Sequence, residues 1–413
     1  MTMLAPLATT PTIEWRPLAA LDEHAGAWRA LAARTAEPNA FYEPAFAQAA
    51  LRVFGKDAGA VLVWSDNTQR ELVGLLPARI ERNRYGAPFP LLTGWTHPYA
   101  PLGVPLVDRD AVASVVAALI DHVAQDPALP DVLLLPLLPA GGPVATALAD
   151  AVAARGGRIK EISCHQRALL APTSDRAFYL EFSLDRKKRK DLARLRRRLA
   201  ETAPVQFDIA RTPAAVGAVL PEFLALEEAG WKGRAGTAAS QDGEVRRFIE
   251  RAVTGMSAEG KAFAAQLRHG DATIAAALTL TSGDTAWFWK IAYDERAARA
   301  SPGVQITLDL TEAMLADPAI ARADSCAVAG HPMIDHVWRE RLELADYLIA
   351  VGPNAARTSR SRRRSRACAA PASAPPGDCA ISCGARDGVA PAPHFFLSRE
   401  LRNHRRVTEK HER

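Results

Sequence analysis

Between Lys261 and Met314 the chain reads as three consecutive strands and then a helix, an order that restricts the fold more than any other feature. Period-two alternation with β-branched and aromatic residues marks strands over 261–268, 273–282 and 285–293. Asp294-Glu295-Arg296 breaks the pattern. Ser301 then suits an N-cap, and Pro302 suits the first helical position, where its missing N–H costs nothing. Val304, Leu308, Thr311 and Leu315 recur at helical spacing, and Pro318 closes the run. Amides exposed at such a helix start can hold a diphosphate, and Gly303 lets a ligand come close to the backbone.

Lys290-Ile291-Ala292-Tyr293-Asp294-Glu295 followed by Ser301-Pro302-Gly303-Val304 resembles the acyl-CoA-binding segment of GNAT-type acyltransferases, in the cellulose-biosynthesis-like branch. Ala300 stands where the superfamily pattern has a basic residue, and Arg299, one residue earlier, is the candidate phosphate partner. Trp231-Lys232-Gly233, the Arg/Lys-rich run 186–198 and the stretch from His331 to Trp338 resemble segments of the same branch. So do the stretches from Phe41 to Phe46 and from Tyr99 to Leu106, so that the likeness covers roughly residues 13–352 in order.

A chain of 413 residues is too long for one ordinary core, and its apolar content is enough for two. No apolar run approaches the roughly 20 residues that span a bilayer, and residues 1–16 lack a secretory pattern. A cytoplasmic setting is the expectation. Five cysteines show neither a disulfide framework nor paired zinc spacing, and Cys164 and Cys326 read as small buried hydrophobes in strands. From Asn354 onward 13 Lys/Arg face 5 Asp/Glu, a net +8; against +5 for the whole chain this leaves −3 for residues 1–353. The high pI therefore gives no argument for a specific nucleic-acid partner.

The order strand, two helices, antiparallel strands, helix, strand, helix, strand occurs twice, which suggests an internal duplication. The expected class is α/β with a mixed sheet, as two GNAT-like folds in tandem, a plan that the Fem-type peptidyl transferases share. Residues 1–172 form the first such domain and 204–353 the second, which binds the donor. A basic linker helix at 173–203 joins them, with Leu184, Leu192, Leu195 and Leu199 close to one face. Its charged face suits solvent, a phosphate-rich ligand or an anionic membrane surface. After Pro353 an Arg/Ser/Ala/Pro mixture cannot bury enough apolar surface to fold, so 354–413 reads as a disordered basic tail, functional or the product of a shifted reading frame.

The resemblance implies an acetyl-CoA or other acyl-CoA co-substrate, with no metal, and a backbone N–H near Ile291 or Ala292 facing the thioester oxygen. Ser301, Gly303 and Val304 would hold the diphosphate. General-base candidates are Asp294, Glu295, Glu227, Glu228, His331 and Asp335, the last two four apart on one helical face. In strict alternation Lys290 shares a face with Ala286, Phe288 and Ala292, where an ammonium needs a partner or a substrate. Trp231 and Lys232 suit an acceptor carrying sugar, carboxylate or phosphate, and His97 and Tyr99 would line a cleft between the halves. The branch implies a small-molecule or glycan-precursor amine as acceptor. Two rivals stay open: a Fem-type transferase using aminoacyl-tRNA, and a binding protein that keeps the fold without the chemistry.

Overall fold

Alternating segments along both halves of the chain end up in one sheet. The computed structural model describes residues 11–66, 71–82, 89–173 and 176–351; the expected tail lies outside them. In the first half the elements are β1 (Thr12–Pro17), α1 (Ala25–Arg34), α2 (Pro44–Phe54), β2 (Ala58–Trp64), β3 (Leu72–Glu81), β4 (Leu91–Gly94), β5 (Leu106–Val107), α3 (Val112–Gln125), β6 (Val132–Pro139), α4 (Pro143–Ala154) and β7 (Arg158–Leu170). The short α5 (Tyr179–Ser183) and the basic α6 (Arg186–Ala200) connect to the second half. There follow β8 (Val205–Ala210), α7 (Pro213–Ala229), α8 (Trp231–Arg234), α9 (Gly243–Ala258), β9 (Ala262–His269), β10 (Ala272–Ser282), β11 (Thr285–Tyr293), α10 (Pro302–Ala316), β12 (Arg322–Asp324) and β13 (Glu340–Ala350).

The sheet runs β1-β2-β3-β4-β6-β13-β7-β12-β11-β10-β9-β8, with β5 beside β3. Each half has antiparallel strands closed by one parallel pair, β4 with β6 and β11 with β12. Parallel neighbours need a crossover, and α3 and α10 supply it in equivalent places. The last strand of each half is exchanged: β13 lies against β6, while β7 reaches across to β12. The two exchanged strands pair antiparallel with each other along their length.

Three expectations change. The Pro- and Gly-rich stretch 85–105, which reads as a loop in sequence, holds β4, four buried residues too short to show a period. A helix at Ile334, the counterpart of α4, is reduced to a single 3-10 turn, Ile334–His336. The strand expected at Ser325 ends at Asp324, so Cys326 lies past it with φ of 53°, and Cys164 in β7 is exposed rather than buried.

Apolar side chains fill both faces. On one face a core shared by both halves takes Trp28, Phe41, Phe46 and Trp64 from the first and Phe223, Phe248 and Trp287 from the second. The opposite face of β9–β12 packs on Ile306, Leu310 and Met314 of α10 and on Trp338. Polar groups also cross between halves. Glu43, 1% exposed, accepts from Lys261 Nζ at 2.7 Å and Ser282 Oγ at 2.5 Å. Arg167 of β7 pairs with Asp324 of β12, both side chains 2% exposed, and donates to Pro101 O at 2.8 Å. Such pairs are stable only when desolvation is offset by full hydrogen bonding.

Candidate functional site

The parallel pair at the centre of the second half is short. Only Thr285, Ala286 and Trp287 of β11 face β12, opposite Arg322, Ala323 and Asp324. Beyond that point the strands diverge, and residues 288–293 have β10 as their sheet partner on one side alone. Every second amide of this arm is therefore directed into the gap rather than to a neighbouring strand. Asp324 fixes the turn-away of the other wall, since its Oδ1 accepts from Cys326 N at 2.9 Å while its Oδ2 holds Arg167.

A cleft of about 470 Å³ occupies the gap. Phe288, Ile291, Met333 and Ile334 line it from one face of the sheet, and Tyr99, Glu227, Trp289 and Lys290 from the other. Ser325 to Val328 form the wall opposite β11. The equivalent gap in the first half is filled by the chain itself. Gly103 N donates to Leu137 O at 3.1 Å, and Asn39 Nδ2 holds Val104 O at 2.9 Å. Only glycine fits there, because a Cβ at 103 would overlap Pro136 O.

The start of α10 carries uncapped amides, although Pro302 and Gly303 are buried. Among the described residues, no hydrogen bond reaches the amides of Gly303 or Val304 from outside α10. Ser301 holds the N-cap position in a left-handed conformation, φ 53°, and its hydroxyl makes no cap, contrary to the expected role. Gln305 Nε2 instead ties down Ala300 O at 2.6 Å. A Cβ at Gly303 would stand 3.0 Å from the Tyr293 ring, a tight contact that the ring would have to yield to. Met333 Sδ, 3.8 Å from Thr307 Oγ1, links the cleft wall to this helix.

With this geometry in view, the comparisons are informative. Residues 186–329 match the Acetyltransferase (GNAT) domain. FemX shares the fold at TM-score 0.51 with 9% identity, over 79% of this chain and 95% of FemX. A conserved protein of unknown function from Bacteroides thetaiotaomicron aligns at TM-score 0.49 and 14% identity, over 82% of this chain and 99% of its own. A tandem GNAT protein from the clavulanic acid biosynthesis pathway aligns at 0.36 and 18%, over 83% and 99%. No curated protein matches.

Around the cleft the sequence candidates separate. Lys232, Lys290, Ile291, His331 and Tyr99 line the cleft. Trp231, Ala292, Asp294, Glu295, Asp335 and His97 do not. Asp294 caps the 3-10 turn that follows β11 and is held below the usual range by its hydrogen bond to Arg296. Glu295 accepts from Trp231 N at 2.5 Å and pairs with Arg234, which anchors the start of α8. Arg299 is exposed on the turn leading into α10. His331 and Asp335 are joined by one turn, with Asp335 N donating to His331 O at 3.3 Å, and not by the expected helix; Asp335 Oδ1 is buried. His331 Nδ1 accepts from Met333 N at 3.3 Å, and the residue lines the cleft. Burial and the Asp324 carboxylate push the Cys326 thiol well up, which disfavours its thiolate.

Lys290 does not lie where strict alternation puts it. The register with β10 slips so that Leu278 faces Lys290 and Thr279 faces Phe288, leaving Trp289 with no opposite residue. This bulge turns Lys290 to the face of Trp289 and Ala292, away from Ala286 and Phe288. There its Nζ pairs with Glu227 Oε1 at 2.8 Å and lies 5.0 Å from the centre of the Tyr99 ring. Lys232 Nζ reaches the same oxygen at 3.3 Å, and Ala239 N donates to Oε2 at 3.0 Å. Burial alone would raise the Glu227 carboxyl, but Lys290 and Lys232 outweigh it and hold it down to about 2. Glu227 is thus a permanent anion between two cations and a poor proton acceptor.

His97, expected in the cleft, instead stacks on Phe54 at 4.3 Å among Phe46, Trp95 and Phe248. Its Nδ1 accepts from Tyr99 N and its Nε2 is buried without a partner. Burial, with Arg79 adding to it, pushes its pKa down to about 3. The unfolded chain takes up this proton near pH 6.5 and the folded chain only near 3, so stability falls as pH drops through that interval. Between pH 7.5 and 5 urea unfolding should show a loss of about 2 kcal/mol from this residue. His97→Phe should remove that part of the slope; an unchanged slope would assign it elsewhere.

Proposed function

We propose that the cleft is the catalytic site of an acyl-CoA-dependent N-acyltransferase, transferring an acyl or acetyl group to an amine. The observation that carries this reading is the gap between β11 and β12 beside a helix start whose amides are uncapped. An extended pantetheine arm can add to residues 288–293 as a strand would, and the amides of Gly303 and Val304 suit its diphosphate. A strand amide at Ile291 or Ala292 would meet the thioester oxygen; a preorganised donor of this kind contributes about 3 kcal/mol. Acyl-CoA would supply the activated carbonyl, and this chain's residues hold and orient the two reactants. The cleft's carboxylates, Glu227 and Asp242, are both engaged, Glu227 by lysines and Asp242 as the cap of α9. Catalysis therefore rests on positioning and polarisation rather than on a free carboxylate base.

Tyr99, Phe54 and Trp289 with Lys232 and Lys290 suit an acceptor that offers an apolar or sugar face and an anionic group. An envelope or exopolysaccharide precursor has that chemistry, and the likeness to the cellulose-biosynthesis-like branch supports it. A cytoplasmic supply of acyl-CoA belongs to the same proposal, as does the division into halves at 1–172 and 204–353, interlocked by β7 and β13.

Titration calorimetry with acetyl-CoA and with charged tRNA tests the reading. Val304→Pro removes one uncapped amide in the first turn, where proline is tolerated. Acetyl-CoA should bind the parent at least about tenfold more tightly than this variant, with little change in melting temperature. Equal affinities, or binding of charged tRNA instead, would overturn it. Binding without turnover across a panel of amines would leave a protein that carries the fold alone.

A further inference from the structure

Helix α6 and the short α5 before it present a surface that the cleft does not use. Leu192 of α6 is buried and Leu195 and Leu199 are half-buried, so the helix lies on the body along one side. It packs beside the 3-10 turn 295–300, and Arg196 pairs with Asp309 of α10 at 2.6 Å. At 100° per residue, Arg186, Lys187, Lys190, Arg194, Arg197 and Arg198 fall on the opposite, outward arc, and all are exposed. Arg194 pairs with Asp191; among the described residues no acid lies within ion-pair distance of the other five. The arc extends about 18 Å.

The second observation is apolar. Phe182 of α5 is 77% exposed and Phe178 just before α5 is 47% exposed, the two most exposed large apolar side chains among the described residues. Glu181 and Arg189, 4.0 Å apart, join α5 to the first turns of α6, so these rings and the cationic arc belong to one continuous surface. Water-exposed phenylalanine next to a face of one charge has a cost with no return in solution.

We infer that this surface docks the protein on an anionic membrane, with the cations of α6 at the phosphate level and Phe178 and Phe182 inserted below it. A bilayer interface rewards both features together, whereas a polyanion such as RNA rewards the cations and gains nothing from rings on a flanking helix. Among the described residues no helix is long and apolar enough to cross a membrane, so the attachment is peripheral. This inference does not depend on the acyltransferase reading.

Cosedimentation of the full chain with phosphatidylcholine vesicles, plain or mixed with phosphatidylglycerol, tests it. The chain should pellet with the anionic vesicles and stay in solution with the neutral ones. Lys187→Glu, Lys190→Glu and Arg197→Glu together should lower partitioning at least about tenfold. Phe182→Ser alone should lower it about fivefold, and Phe182→Trp should shift its fluorescence to the blue on anionic vesicles. All four positions are exposed, and a thermal melt confirms that the variants fold; should the triple variant not, the two single substitutions decide. Binding that none of these substitutions alters would place the contact elsewhere, in the basic tail for instance, and overturn the proposal. The same follows from absence of binding, or from an RNA oligonucleotide that binds more tightly than the vesicles and is indifferent to Phe182→Ser.

Discussion

Arg167→Met is expected to lower stability by about 3–5 kcal/mol, with a fall in melting temperature of roughly 5–10 °C. The change leaves Asp324, 2% exposed, as an uncompensated buried carboxylate and removes the donor to Pro101 O. Because Asp324 also anchors Cys326 N at the point where the strands diverge, the cleft wall should loosen with it. Adding Asp324→Leu removes the orphaned charge, so the double variant should recover a large part of the loss. Thermal and urea unfolding of the parent, the single and the double variant measure this. If the double variant is as unstable as the single one, the pair is not the joint that holds β7 to β12.

Glu227→Gln is the second large effect. It keeps volume and an acceptor for Ala239 N but leaves Lys290 and Lys232 facing a neutral amide. With Lys290 only 9% exposed, a stability loss of about 3 kcal/mol is expected. If Lys290 holds the acceptor, turnover should fall at least about 100-fold, with acetyl-CoA affinity unchanged. The acid profile gives an independent readout. The folded carboxyl is held at about 2 against 4.5 in the unfolded chain. Its stabilisation is therefore complete above pH 4.5 and lost as pH falls toward 2. The variant should lack this loss, in a window that overlaps the lower part of the one set by His97 and extends below it. A Glu227→Gln protein that matches the parent in stability and rate would remove the triad from the site.

Local periodicity carried much of this fold. β11 and α2 run where alternation and apolar spacing put them, because hairpins and amphipathic helices are specified by neighbours in sequence. β4 escaped because four residues between Pro90 and Trp95 are too few to show a period. The exchange of β7 and β13 was invisible for another reason: their partners lie up to about two hundred residues away, and no local pattern records which edge a strand will join. Lys290, Lys232 and Tyr99, all readable in sequence as candidates, line one cleft, but the face of Lys290 is not readable there, since a bulge at Trp289 leaves no mark in composition. Asp294 and Glu295 looked like free acids and are caps. A carboxylate's availability depends on which amides and cations fold against it, and those lie on other elements.

The exchange of end strands also sets an order of assembly during synthesis. The edge of β6 stays open through most of translation, until residues 340–350 leave the ribosome and cover it. The N-terminal half of the protein is thus the first made and the last completed. The sheet is complete once the residues up to Ala350 are in place.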